Sequence, residues 1–131
     1  MAGQPRILMV DDDQVLVEAT KAILESRDYQ VSVAYDGATG LEKARAEKPD
    51  LIILDIIMPD QDGFAVCEQL KADTDLAAVP VLMMTSFAKD KGTTNIPVSD
   101  GLALEAEGYV DKPVSPERLL ALVEKMLQAA A

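Results

Sequence analysis

The chain contains no histidine, no tryptophan and only one cysteine, Cys67. Without histidine, the common zinc sites and histidine-based acid–base catalysis are excluded. A single cysteine cannot form an internal disulfide, which favours a reducing compartment. No apolar run is long enough to cross a membrane, and residues 1–6 lack the apolar core of a signal peptide. We therefore predict a cytoplasmic protein with no membrane contact.

Positive charge is also scarce. Twelve lysines and arginines stand against 23 aspartates and glutamates, which gives a net charge of −11. Such a surface repels phosphates, so we expect no direct nucleic-acid partner. It favours cations and basic partners instead. The 131 residues, 49% of them hydrophobic, are enough for one domain with its own core, and we expect a single domain over residues 1–131.

Short apolar runs alternate along the chain with segments of helical periodicity. The runs Ile7–Val10, Leu51–Leu54 and Val81–Met84 are continuous, which is typical of strands buried on both faces of a parallel sheet. The predicted inward-facing helix residues are Leu16, Ala19 and Ile23, then Ala38, Leu41 and Ala44 after the cap Asp36, then Val66, Cys67 and Leu70 between Phe64 and Lys71, and finally Leu119, Leu122, Val123 and Met126 after the cap Ser115. This alternation predicts an α/β fold, a doubly wound parallel sheet with helices on both faces.

Polar residues follow the predicted strands at the point where each one ends. With the shorter predicted strands Val31–Ala34 and Tyr109–Val110 as the second and fifth, Asp11 and Asp12 follow the first strand. Asp55 ends the third, Thr85 the fourth and Lys112 the fifth. The carboxyl ends of parallel strands lie at one edge of the sheet, so these side chains are expected to converge. Clustered carboxylates repel one another unless a cation lies between them, and oxygen ligands suit Mg²⁺. Asp55 is then a candidate nucleophile for a phosphoryl group, with Thr85 and Lys112 as groups that contact the anion.

Each of these residues also has an ordinary structural explanation. Aspartates after a strand often cap a helix, and we expect Asp13 to be a cap or to be solvated. Threonine is common in strands, and Lys112 can be a surface charge. The ordered set of polar strand ends favours a functional site more than any single residue does.

Four segments, ILMVDDD, LIILDIIMPDQDG, VLMMTS and YVDKPVSPERL, together resemble the receiver domain of bacterial two-component response regulators. The resemblance covers about residues 6–127. It implies a flavodoxin-like, five-stranded parallel sheet in the order 2-1-3-4-5. It also implies a phosphorylation-dependent signalling switch, which a sensor histidine kinase or phosphotransfer protein loads and a downstream effector protein reads.

The resemblance assigns a role to each matching position. These roles are phosphoacceptor and Mg²⁺ ligand for Asp55, Mg²⁺ ligands for Asp11 and Asp12, a metal-binding backbone carbonyl for Ile57, the responding hydroxyl for Thr85, a phosphoryl contact for Lys112 and the switch aromatic for Tyr109. The interval between Thr85 and Lys112 departs from the family pattern. We therefore expect the fourth helix, after Ser99, to be short or irregular.

Two other functions stay open at this point. A Mg²⁺-dependent phosphohydrolase with an aspartyl nucleophile usually has a second aspartate where Ile57 stands. A phosphorylation-independent, receiver-like binding module would be favoured if the acidic pair or Lys112 were missing, and both are present. On the preferred interpretation the domain is no metabolic enzyme, since it catalyses only its own phosphorylation and dephosphorylation. It is either a single-domain regulator or an excised receiver piece.

Overall fold

The computed structural model describes residues 4–55, 63–85, 107–111 and 114–130, with only the backbone for Thr85, Tyr109, Asp111 and Ala130. The strands are β1 (Arg6–Val10), β2 (Gln30–Ala34), β3 (Leu51–Asp55), β4 (Val81–Thr85) and β5 (Gly108–Asp111). The helices within these residues are α1 (Gln14–Glu25), α2 (Gly37–Glu47), α3 (Gly63–Ala72) and α4 (Pro116–Ala130). All strand pairs are parallel, in the order β2-β1-β3-β4-β5, which confirms the predicted fold. The helix predicted after Ser99 lies outside the described residues.

The sheet is buried on both faces because its central strands contribute alternate residues to two separate cores. In β3, Ile52 and Leu54 pack in one cluster with residues of α2 and α3. Leu51 and Ile53 pack in a second cluster with residues of α1 and α4. Every residue of β3 is buried, as the continuous apolar run predicted.

Three helices begin at a side chain that accepts a hydrogen bond from the first turn. The Leu16 amide donates to Asp13 Oδ1 at 3.1 Å, and the Thr39 amide donates to Asp36 Oδ1 at 2.7 Å. The Arg118 amide donates to Ser115 Oγ at 3.2 Å, and Pro116 is the first residue of α4. These contacts satisfy amides that have no partner inside a helix, and they confirm the predicted caps.

The predicted inner faces of α3 and α4 are confirmed, since Val66, Cys67 and Leu70 are buried in α3 and Leu119, Val123 and Met126 in α4, with Leu122 partly buried.

The predicted inner face of α1 is wrong by one position. Ala19 is exposed and Leu16 and Ile23 are only half-buried, whereas Val17, Thr20 and Leu24 are buried. The consecutive apolar residues Val15, Leu16 and Val17 left the rotation of the helix ambiguous. Val15, 82% exposed, lies on the outside instead. The apolar pattern also missed the buried position 20, because the residue there is a threonine, which is a polar residue type.

The prediction for α2 is wrong at Ala38, which is exposed. Two glycines, Gly37 and Gly40, take the inward positions together with Leu41 and Ala44. A Cβ atom at Gly40 would lie 2.8 and 2.9 Å from the two γ carbons of Val10. The helix therefore packs closer to β1 than any residue larger than glycine allows.

A lysine connects the end of α3 to the start of β5, at the edge of the sheet opposite the strand ends with the aspartates. Lys71 Nζ donates to both carboxylate oxygens of Glu107, at 2.9 and 2.8 Å, and to the carbonyl oxygens of Ala77 and Val79. Glu107 Oε1 also accepts from the Val81 amide at 2.8 Å. The Lys71 side chain is 13% exposed, so its charge lies close to its partners with little access to water.

Candidate functional site

Two buried carboxylates lie at the carboxyl ends of the neighbouring central strands β1 and β3. Val10 of β1 pairs with Leu54 of β3 in the parallel register. Asp11 directly follows Val10 and Asp55 directly follows Leu54, so the two aspartates lie side by side. Asp11 is 1% exposed and Asp55 3%. Burying carboxylates is unfavourable unless other groups stabilise them, which makes this pair a candidate functional site.

Asp12 joins this pair from the solvent side. It is exposed, and one carboxylate oxygen from each of Asp11, Asp12 and Asp55 lies within 4.8 Å of the others. The donor set consists of oxygen atoms alone and combines two buried ligands with one that reaches water. Such a set fits Mg²⁺, which binds through one or two carboxylates and keeps several water ligands. The structure thus brings together three of the residues that the sequence assigned to the site.

The Asp11 carboxylate is oriented by the turn that leads from β1 into α1. The Asp11 amide donates to the carbonyl oxygen of Ala34 in β2 at 3.0 Å, which continues the sheet by one residue. The Asp13 amide donates to Asp11 Oδ1 at 2.9 Å. A backbone amide is a fixed donor, so it sets the direction in which the carboxylate points.

The other predicted site residues are described in part or not at all. Asp55 pairs with Met84, and Thr85 is the next residue of β4, so the Thr85 backbone lies at the same edge of the sheet. Thr85 pairs in turn with Asp111, the residue before Lys112, and Tyr109 pairs with Met83. The side chains of Thr85 and Tyr109, and the residues Ile57 and Lys112, lie outside what the structure describes.

A further carboxylate, Asp36, follows β2 at this edge of the sheet. The hydrogen bond from the Thr39 amide lowers the pKa of its carboxyl, and a second bond from the Thr39 hydroxyl acts in the same direction. Asp36 is therefore charged at neutral pH, but it does not belong to the group formed by Asp11, Asp12 and Asp55.

The sequence-based interpretation missed two contributors to this edge. Asp13 was predicted as a cap or a solvated residue, but its amide also holds Asp11. Gly40 was not singled out, although glycine, which has no Cβ atom, permits a close approach of two elements. Its contact with Val10, the residue before Asp11, is such an approach.

No helix in the described parts of the chain is long and apolar enough to span a membrane.

The family profile of the response regulator receiver domain matches residues 7–124 of this chain. PhoP of Bacillus subtilis, the alkaline phosphatase synthesis transcriptional regulatory protein, is 41% identical over 123 residues, which cover 94% of this chain and 48% of PhoP. PilH of Pseudomonas aeruginosa is 38% identical over 122 residues, which cover 93% of this chain and 97% of PilH. The chain thus spans about half the length of several curated relatives, including 51% of CseB of Streptomyces coelicolor.

Solved structures agree with these sequence matches. The CheY-like response regulator receiver domain protein from Methanospirillum hungatei superposes with a TM-score of 0.84 at 32% identity, over 98% of this chain and 97% of that protein. The chemotaxis protein CheY4 of Vibrio cholerae superposes with a TM-score of 0.83 at 29% identity, over 95% and 99% of the two chains. The family match over most of the chain, the relatives and the fold lead to one conclusion. This chain belongs to the receiver domains of two-component response regulators, a family of phosphorylation-dependent signalling switches.

Proposed function

We propose that Asp55 is the residue that accepts the phosphoryl group in this receiver domain. The observation that supports this most directly is the cluster of Asp55 with Asp11 and Asp12, whose oxygens lie within 4.8 Å of one another at the carboxyl ends of β1 and β3. Asp55 is the member that ends the central strand, and its backbone is held by the ladders to β1 and β4. A nucleophile on such a rigid element keeps its orientation during the reaction.

The donor is a phosphohistidine of a sensor histidine kinase or of a phosphotransfer protein. A carboxylate oxygen of Asp55 attacks phosphorus, the new O–P bond forms and the N–P bond to the imidazole breaks. The leaving imidazole takes up a proton. Attack of water on the same phosphorus later breaks the O–P bond, releases inorganic phosphate and restores the carboxylate. In both steps the domain acts only on its own Asp55.

Mg²⁺ fits the donor set, with Asp11, Asp12 and Asp55 as carboxylate ligands and the Ile57 carbonyl as the ligand that the family resemblance adds. The bound ion would supply positive charge that offsets the charge on the transferring phosphoryl group. Asp11 and Asp55 are the buried members of this set. Asp11 directly follows the central strand β1, and Asp55 is the last residue of the central strand β3. They would therefore hold the ion at a constant position relative to the sheet.

We assign the response to phosphorylation to residues at the ends of β4 and β5. Thr85 and Lys112 would contact the new phosphoryl group, because the register brings the Thr85 backbone next to the residue before Lys112. Tyr109, aligned with Met83 in the same strand pair, would report the change to the surface. A downstream effector protein would read that surface.

We further propose that this exchange takes place in the cytoplasm, where the chain's single cysteine, the buried Cys67, stays reduced. The family match supports a signalling switch over the phosphohydrolase and over the phosphorylation-independent module.

The direct test is to incubate the protein with Mg²⁺ and acetyl phosphate and to measure the mass of the intact chain. We expect an increment of one phosphoryl group on the wild type and none on the Asp55→Asn variant. Asp28→Asn is the matched control. It makes the same chemical change at an exposed aspartate in a left-handed turn, a conformation that asparagine also tolerates. An adduct on Asp55→Asn equal to that on the wild type, or no adduct on either, would rule out the assignment.

A further inference from the structure

The turn between β1 and α1 contains a residue whose three hydrogen-bonding groups are all engaged. Asp13 donates its amide to Asp11 Oδ1 at 2.9 Å. Its Oδ1 accepts from the Leu16 amide at 3.1 Å, and its carbonyl oxygen accepts from the Val17 amide at 2.9 Å. The side chain and the carbonyl of Asp13 therefore bind the first turn of α1, while its amide binds Asp11 of the acidic cluster.

We propose that Asp13 is a positioning residue for the binding of Mg²⁺, which acts through Asp11 rather than as a ligand. This inference rests on the proposed function, because it takes the cluster of Asp11, Asp12 and Asp55 as the metal site. Asp13 is exposed and is not a member of that cluster. Its carboxylate faces the start of the helix.

The physical reason lies in how the Asp13 amide is held. The backbone at Asp13 is extended, with φ −83° and ψ 96°, as is usual for a residue that caps a helix. The side-chain bond to Leu16 stabilises this conformation against fraying of the first turn. Once the cap is lost, the peptide group of Asp13 samples other orientations, and its N–H no longer holds Asp11 Oδ1 in place. The affinity for Mg²⁺ then falls, because the Asp11 carboxylate has to become ordered when the ion binds.

The inference predicts different results for two substitutions at Asp13. Asp13→Ala removes the cap and the charge, whereas Asp13→Asn removes the charge but keeps a side-chain oxygen that caps a helix as well as aspartate does. We expect Mg²⁺ to bind Asp13→Ala about tenfold more weakly than the wild type, at the lower end of the effect of losing an outer partner of a metal ligand. We expect Asp13→Asn to bind with nearly the wild-type affinity.

The measurement is the dissociation constant for Mg²⁺ by isothermal titration calorimetry. Hydrogen exchange of the Asp13 amide in the metal-free protein should also become faster in Asp13→Ala and stay slow in Asp13→Asn. The matched control is Asp36→Ala. The Asp36 carboxylate caps α2 and accepts its hydrogen bonds from Thr39, so this substitution also removes one helix cap and one negative charge at the same edge of the sheet. We expect its Mg²⁺ affinity to stay within about twofold of the wild type, as for a change that leaves the ligands and their partners intact.

Several outcomes would overturn the inference. Equal weakening in Asp13→Ala and Asp13→Asn would mean that the charge acts through space. Equal weakening in Asp13→Ala and Asp36→Ala would mean that any lost cap or charge has this effect. An unchanged affinity in Asp13→Ala would refute the role of Asp13 while leaving the proposed function intact. A wild-type protein that binds no Mg²⁺ and forms no phosphoryl adduct would refute both.

Discussion

Replacing Gly40 with alanine should destabilise the fold, although alanine is the better helix former. Gly40 lies in the first half of α2, and a Cβ atom there would come within 2.8 and 2.9 Å of both γ carbons of Val10. Val10 is 1% exposed and is held in the central strand β1 between β2 and β3. Because both methyl groups of Val10 face this position, every staggered rotamer of Val10 leaves at least one of them there, so the helix has to move instead.

The expected size follows from two opposing effects. Inserting a methyl group into a well-packed core typically costs about 1 to 3 kcal/mol, and two simultaneous contacts below 3.0 Å put Gly40→Ala in the upper half of that range. The gain in helix propensity from glycine to alanine is about 1 kcal/mol. The net loss in the free energy of unfolding should therefore be about 1 to 2 kcal/mol.

Urea unfolding followed by far-ultraviolet circular dichroism measures this loss, since the chain has no tryptophan for fluorescence. Gly108→Ala is the matched control, because its Cβ would meet Met126 Sδ at 3.1 Å and Leu82 Cδ1 at 3.2 Å, which are ends of flexible side chains. We expect it to lose less than about 1 kcal/mol. Ala46→Gly, at an exposed position of α2, measures the propensity difference in the same helix.

A double-mutant cycle with Val10→Ala tests the mechanism itself. Val10→Ala leaves a cavity where the two methyl groups were, and the methyl group introduced by Gly40→Ala should partly fill it. The double variant should be more stable than the sum of the single losses predicts, by about 1 to 2 kcal/mol. Additive losses, or a Gly40→Ala protein as stable as the wild type, would refute the packing argument.

Three further predictions concern titratable side chains that do not belong to the acidic cluster. Lys71→Met removes the ammonium bound to both carboxylate oxygens of Glu107, so the free energy of unfolding in urea should fall by about 1 to 2 kcal/mol; an unchanged midpoint would contradict this. The pKa of Asp36 is lowered in the folded protein. Its charged form therefore stabilises the fold at every pH above the unfolded pKa of about 4, and this stabilisation is lost as the pH falls through the folded pKa. Urea midpoints measured between neutral and acidic pH should therefore fall less in Asp36→Asn than in the wild type, and parallel profiles would count against it. Burial is the main cause of the raised pKa of Tyr29 and Glu124 the second, so Glu124→Gln should lower that pKa in an ultraviolet titration, with Tyr29→Phe identifying the transition; an unshifted curve would exclude the coupling.

The sequence predicted the sheet better than it predicted the helix faces. Continuous apolar runs identify β1 and β3 because residues on both sides of these strands are buried, so no choice of face is needed. A helix has a choice of face, and in α1 the run Val15-Leu16-Val17 allows more than one rotation. The buried Thr20 resolves the choice only once the packing is known.

Long-range contacts away from the carboxyl ends of the strands could not be predicted from local pattern. Lys71 and Glu107 are 36 positions apart, and nothing in the residues around either one indicates the other. The cluster of Asp11 and Asp55 was predictable, although these residues are 44 positions apart, because each follows a recognisable strand and parallel strands end at the same edge. Which backbone donor orients Asp11 depends on the turn geometry at Asp13, which the pattern of residue types does not determine.

The same packing that stabilises the sheet also sets the geometry of the acidic cluster. Alternate residues of β1 and β3 belong to two different cores, so a shift of one residue between these strands would exchange every side chain between the cores. The register of Val10 with Leu54 is therefore fixed by the burial of both faces, and this register brings Asp11 level with Asp55. Val10 is in contact range of Gly40 on one side and precedes Asp11 in the chain. A change in packing at Val10 should consequently alter both the free energy of unfolding and the affinity of the cluster for Mg²⁺, without any change to a carboxylate.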